Sequence, residues 1–324
     1  MVMRSVFPVL AMAALHGTVA AQSRPDSVAL SFGWPVGLEA AITHHRLQVT
    51  SDGGARPESS AVVVTYGMRV QADPRGRLIE YRDFRFPGLA DSLGAQLPAG
   101  WVEQIASAGA PSVIVDDAGA FVSLADPERF AATIRGMLQP TLDSLPPARA
   151  GLRDFVERLL DPAVIGAQAA GDWYALVGWW AGARLERGRA VTETVDQAMP
   201  MLPGRTVPYH TRRTFVSRQP CTESAGDSSC VALELISTPD SAAVRALIAD
   251  VMKDLIRDGP PSTAVLRRLE SEFRIRVIAE PRGLIPHELD IVQSVAVEAE
   301  SPAEGVSRQS MDRYRVLRYS YAQP

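Results

Sequence analysis

Alternation of apolar and polar residues marks both ends of the chain, and a helical spacing replaces it in the middle. Val62, Val64, Tyr66, Met68 and Val70 fall on one face of an extended segment, the period of two of a half-buried strand. Ala41 to Val49 alternates as well, and its more apolar set (Ala41, Thr43, His45, Leu47, Val49) predicts His45 on the inner face and His44 in solvent. Near the other end, Phe273, Ile275 and Val277 alternate with Arg274 and Arg276. The run from Ile285 through Leu289 and Ile291 to Val297 alternates with Glu288, Asp290, Ser294 and Glu298. From Tyr314 to Tyr321 the apolar face switches between Val316 and Leu317, which predicts a bulge.

Turns divide these segments. Val277–Gly283 (V-I-A-E-P-R-G) echoes Val70–Gly76 (V-Q-A-D-P-R-G). Acid, Pro, Arg, Gly suits a type I turn, with Pro fixing φ at the second corner and Gly closing at the fourth. The pattern predicts one β-hairpin near each end. A tighter hairpin is expected from Val113-Ile-Val through Asp116-Asp-Ala-Gly119 to Ala120-Phe-Val.

The middle reads as helical. Asp126-Pro127-Glu128 combines an N-cap acid, Pro at the first helical position and an acid in the first turn. That helix is expected to turn Phe130, Ile134 and Leu138 inward and to stop before Pro140. Shorter helical spacing occurs at Pro98–Ser107, and again from Ala148 to Leu160 before the Asp161-Pro162 break. A further helix is expected over Asp172–Leu185, carrying Trp173, Tyr174, Trp179 and Trp180. Gly178 and Gly182 weaken it by roughly 1 kcal/mol each, so it depends on packing. Asp240 caps an amphipathic helix with Val244, Leu247, Ile248, Val251 and Leu255 on one face. Together these elements predict an α+β fold: an antiparallel, curved β-sheet, open to closure as a half-barrel, built from hairpins at both ends and packed on a helical middle. The mature chain reads as one domain over 22–324. Sub-halves 22–198 and 205–324, joined by the proline-rich Met199–Pro208, are the alternative.

Composition adds the compartment. Arg4, the apolar run Val6–Leu15 and the small residues Val19-Ala20-Ala21 read as a secretory signal over 1–21, cleaved near Ala21, with a periplasmic or secreted product. No transmembrane segment is expected after its removal. Cys221 and Cys230 are the only cysteines among 324 residues and bracket T-E-S-A-G-D-S-S, a turn composition. A disulfide stapling a hairpin mouth is expected, worth roughly 2–3 kcal/mol by loop entropy. A net charge of −4 and the lack of basic runs interleaved with aromatics argue against nucleic acid as a partner.

Catalytic signatures are missing. His287-Glu288 begins like a zinc-protease H-E-x-x-H, but Ile291 stands where the second histidine is needed. Gly226-Asp227-Ser228 resembles a protease nucleophile segment for three residues only. There is no G-x-S-x-G, P-loop, G-x-G-x-x-G or C-x-x-C. No catalytic residue, metal or cofactor is therefore assigned, and the chain reads as non-enzymatic.

The layout of an export signal, hairpins at both ends and an apolar helical middle resembles the half-barrel of periplasmic lipoprotein carriers, and bacterial exported proteins without an assigned role. That resemblance implies a cavity between sheet and helices, with lipid or another apolar ligand as partner. Trp173, Tyr174, Trp179 and Trp180 are the candidate ligand-binding residues. The alternative is a structural or interaction module of the envelope, with a filled core and envelope proteins as partners.

Overall fold

A computed structural model describes residues 26–53, 56–87, 111–144, 156–198, 205–222, 229–255, 265–301 and 305–321. The signal segment, the Pro98–Ser107 helix, most of the Ala148–Leu160 helix and residues 199–204 of the linker lie outside the described residues.

In chain order the elements are β1 (Ser27–Ala29), β2 (Ser31–Phe32), β3 (Glu39–Asp52), β4 (Glu58–Asp73), β5 (Gly76–Arg85), β6 (Val113–Val115), β7 (Phe121–Leu124) and α1 (Pro127–Asp143). Helix α2 (Pro162–Trp173) follows, continued by a π-helical turn at Tyr174–Gly178, then β8 (Arg184–Glu186), β9 (Ala190–Ala198), β10 (Thr206–Gln219) and β11 (Cys230–Pro239). The chain closes with α3 (Ser241–Leu255), β12 (Val265–Ala279), β13 (Arg282–Gly283), β14 (Pro286–Ser301) and β15 (Gly305–Tyr321).

Eleven strands form one curved, unclosed antiparallel sheet in the order β7-β6-β5-β4-β3-β15-β14-β12-β11-β10-β9. The order follows from sequence neighbours pairing. One meander runs from β3 outward to β7, and a second runs from β9 inward to β15. The two join at the centre, where β15 pairs with β3 from Gln309↔Asp52 to Tyr321↔Ala40. The segment between β7 and β9 must therefore pass from one edge of the sheet to the other. Among its described residues helices α1 and α2 make most of that passage, and their apolar side chains meet the inner sheet face in one core containing Trp34, Trp173, Trp180, Phe215, Leu233 and Ile275.

The α+β class with a curved sheet stands, and so do most of the predicted strands. Val64, Tyr66, Met68 and Val70 are buried on one face of β4, and Val231, Leu233 and Leu235 on one face of β11. Asp73-Pro74-Arg75-Gly76 makes the tight β4–β5 turn, with Asp73 opposite Gly76. Gly76 is required there. Its φ is 141°, and a Cβ would lie 2.2 Å from the Val115 carbonyl oxygen. The Cys221–Cys230 disulfide forms at the β10–β11 mouth, Cα atoms 4.9 Å apart. Asp126 caps α1 by accepting from the Arg129 amide at 3.1 Å, and Asp240 caps α3 by accepting from the Ala243 amide at 2.7 Å.

Several expectations are corrected. Glu280-Pro-Arg-Gly283 is not a second copy of the β4–β5 turn. Ala279 pairs with Pro286, and the wider loop lets Arg282-Gly283 pair in parallel with Ser31-Phe32. Helix α1 continues through Pro140 to Asp143, because a proline so near the C-terminus forfeits little beyond one hydrogen bond, and buried Leu142 anchors the last turn. Leu138 on that helix is exposed rather than inward.

The Asp172–Leu185 helix is displaced. Helix α2 starts at Pro162 behind the Asp161 cap, and helical backbone ends at Gly178. Gly182 then takes φ 77° and Leu185 enters β8, pairing with Val28. The two glycines that weaken a helix are where the chain leaves it. Finally, β15 keeps an unbroken register with both neighbours, so there is no bulge at Val316–Leu317. Its inward line is Arg315, Leu317, Tyr319, and the arginine made the apolar face seem to switch.

Candidate ligand site

The seam between the two meanders carries the most distinctive chemistry. A cavity of about 70 Å³ lies between α2 and the sheet, lined from β3 by His44 and Arg46, from β4 and β5 by Tyr66 and Tyr81, and from β15 by Arg315, Leu317 and Tyr319. Leu289 and Ile291 of β14 add apolar floor, and α2 closes the space with Ala169, Asp172 and Trp173.

The face of β3 is the reverse of the expected one. Ala40, Ile42 and His44 are buried, while His45 and Leu47 point out to solvent. Both faces of this strand hold apolar residues, so counting them does not orient it. The neighbour decides, since His44 and Arg46 sit opposite Leu317 and Arg315.

That register sets two arginines directly across from one another on the same face. Like charges at such a position oppose pairing. One carboxylate answers them: Asp172 of α2 accepts from Arg315 Nη1 at 3.0 Å. Arg46 turns to a neutral acceptor, donating from Nε to His44 Nε2 at 3.2 Å. Arg315 Nε has no hydrogen-bond partner among the described residues.

Burial and charge tune these groups together. His44 is held down to about 2, first by burial and then by Arg46, Arg315 and His45, so it is neutral and its Nε2 accepts. Burial also lowers Arg46, and Arg315 lowers it further. For Arg315 itself burial pushes downward, but the charge and hydrogen bond of Asp172 outweigh it and its pKa is raised. Tyr66 is pushed up to about 12 by burial, and burial raises Tyr81 and Tyr319 further. All three phenols are therefore protonated donors at neutral pH, and Tyr66 stacks on Phe84 at 5.0 Å between ring centroids.

The four aromatic residues singled out from sequence do not converge on this space. Trp173 lines it, and its indole donates to the Gly119 carbonyl at 2.7 Å, pinning α2 to the β6–β7 turn. Trp180 is fully buried away from it and donates to the Ala175 carbonyl at 3.3 Å. Tyr174 is exposed and sits 6.3 Å from the partly buried Trp179 ring. Sequence reading passed over Arg46, Asp172, Arg315 and the tyrosines. The available signal was an arginine at an inward register of each of two strands, visible only once those strands are paired.

No family model matches the chain. No curated protein sequence matches it either. Among solved structures it is similar to lipovitellin, in a structure concerned with that protein's lipid–protein interactions, at 10% identity and a TM-score of 0.41. The match covers 90% of this chain and 26% of the lipovitellin chain, so this chain spans about a quarter of that protein's length.

Among the described residues no helix is long and apolar enough to cross a membrane.

Proposed function

We propose that the protein is an exported, non-enzymatic binding protein that takes the anionic headgroup of an amphiphile, a carboxylate or a phosphate, between α2 and the inner sheet face. The observation that carries this reading is the cross-strand Arg46–Arg315 pair, two guanidiniums served, among the described residues, by the one carboxylate of Asp172. A second anion bridging the guanidiniums would relieve their repulsion and accept a hydrogen bond from Arg315 Nε–H. The three phenols supply further donors around it. This keeps the lipid or apolar ligand implied by the carrier resemblance but assigns its recognition to charge. Of the four aromatic candidates, only Trp173 belongs to the site.

Size limits what enters. About 70 Å³ holds a headgroup or a few waters, whereas enclosed drug-sized ligands occupy sites of roughly 300–1,000 Å³. The apolar tail therefore lies outside this cavity. The same small volume favours a second reading, a filled-core envelope module with no ligand.

Native mass spectrometry of the mature protein from a bacterial periplasm separates the two. The wild type is expected to retain an anionic amphiphile, and Arg46→Gln to lose it. Arg46 is on the exposed side of the site, so the substitution spares the core. Loss of a hydrogen bond to a charged group weakens binding by about tenfold or more. A wild type that is uniformly apo supports the module.

A further inference from the structure

The Cys221–Cys230 disulfide lies beside a histidine whose ring is already oriented by a carboxylate. Cys230 opens β11, His287 lies near the start of β14, and β12 between them ends at Ala279, opposite both Val231 and Pro286. This brings the two sulfurs and a ring nitrogen of His287 all within 4.8 Å of one another. Glu280 Oε1 stands 3.3 Å from His287 Nε2, while Nδ1 is buried and has no hydrogen-bond partner among the described residues. The Tyr321 ring packs against the imidazole at 5.4 Å between centroids and fixes its plane further.

We propose that these residues form a metal site latent in the disulfide, open to a soft-to-borderline divalent cation such as Zn²⁺ when the bond is reduced. A dithiol reductant cleaves the S–S bond, giving two thiols and leaving its own sulfurs joined as a cyclic disulfide. The cation then takes both sulfurs as thiolates, releasing a proton from each, with His287 Nδ1 as third ligand and a water as fourth. Glu280 on Nε2 completes the carboxylate–histidine–metal relay that sets ring orientation and basicity at such centres. Tetrahedral coordination asks for sulfurs about 3.8 Å apart, given metal–sulfur bonds of about 2.3 Å, and side-chain rotation after reduction supplies that separation. Cys221 is only partly buried, which gives reductant and ion a path in, while Cys230 is fully buried. The oxidised protein has no thiolate to offer, so the site reports the redox state of its surroundings.

Cobalt is the probe. The intact mature chain, reduced by dithiothreitol and desalted without oxygen, is titrated with Co²⁺ alone. Reduced wild type is expected to develop thiolate-to-cobalt charge transfer and tetrahedral ligand-field bands at one ion per chain, bleached by Zn²⁺, and the oxidised protein to develop neither. His287→Gln should weaken binding at least tenfold and alter the ligand-field bands. Glu280→Gln should weaken it by about 10–100-fold while leaving the band positions. His287→Gln keeps the disulfide, so circular dichroism of its oxidised form shows whether it folds. Absence of the bands in reduced wild type overturns the proposal. So does a folded His287→Gln that binds cobalt as tightly as wild type, which would mean a site of two thiolates only.

Discussion

Trp34→Ala is expected to destabilise the protein by about 4 kcal/mol, within the range for truncating a buried tryptophan. Trp34 is fully buried, with its ring 5.3 Å from Trp173 and 5.8 Å from Phe32. Its indole donates to the Leu284 carbonyl at 3.0 Å, 250 residues away. Around it, the Gly33 amide bonds the Gly283 carbonyl and the Leu30 amide bonds the Ala183 carbonyl. One side chain thus fastens the entry segment to the β12–β14 loop and to α2. Urea unfolding measures the loss. Trp34→Phe keeps most of the apolar contact and is expected to cost less than half as much, the remainder being the indole hydrogen bond. A loss below about 1 kcal/mol for Trp34→Ala would mean that the entry segment does not hold the fold.

Acid sensitivity is expected to reside in His44. In the unfolded chain its imidazole takes a proton near its ordinary value of 6.5, and in the folded protein only near 2. Between those limits the unfolded state binds a proton that the native state refuses, so stability falls as pH drops, by about 1.4 kcal/mol per unit. From pH ~7.5 to ~4.5 the group removes roughly 3 kcal/mol. The surrounding charged and titratable groups are Arg46 and His45 on β3, Tyr66 on β4, Tyr81 on β5, Arg315 and Tyr319 on β15 and Asp172 on α2. His44→Gln leaves them all in place and retains an acceptor for Arg46. Urea unfolding of both proteins at the two pH values should therefore show the wild type losing roughly 3 kcal/mol more than the variant. Parallel losses would mean that His44 protonates without unfolding the site.

Local signals in the sequence were sufficient for most of the long strands but not for which way they face. Strand β4 was legible because its inner face, Val64 to Val70, is apolar and its outer face is not. Strands β3 and β15 were not, since each carries a charged residue inward, and Arg46 and Arg315 break the period that orients a strand. Their positions make sense only as a pair, and the two lie 269 residues apart in sequence (Arg46 to Arg315) across the central seam, a contact no local pattern encodes. The same holds for Asp172, legible only as the first residue of an expected helix; the packing of α2 on the sheet brings it to Arg315. The disulfide was legible because two cysteines nine residues apart around a turn have few alternatives. Its histidine neighbour was not, because His287 comes from a strand two places away in the sheet.

The proposed ligand is held at the seam by its anionic head rather than by its apolar tail. Calorimetric titration of the mature protein with dodecanoate and with dodecanol, which share a tail and differ in charge, tests it most directly. The carboxylate is expected to bind at least about tenfold tighter than the alcohol, and Arg46→Gln to remove the difference. Equal binding of the two, or binding of neither, would contradict it.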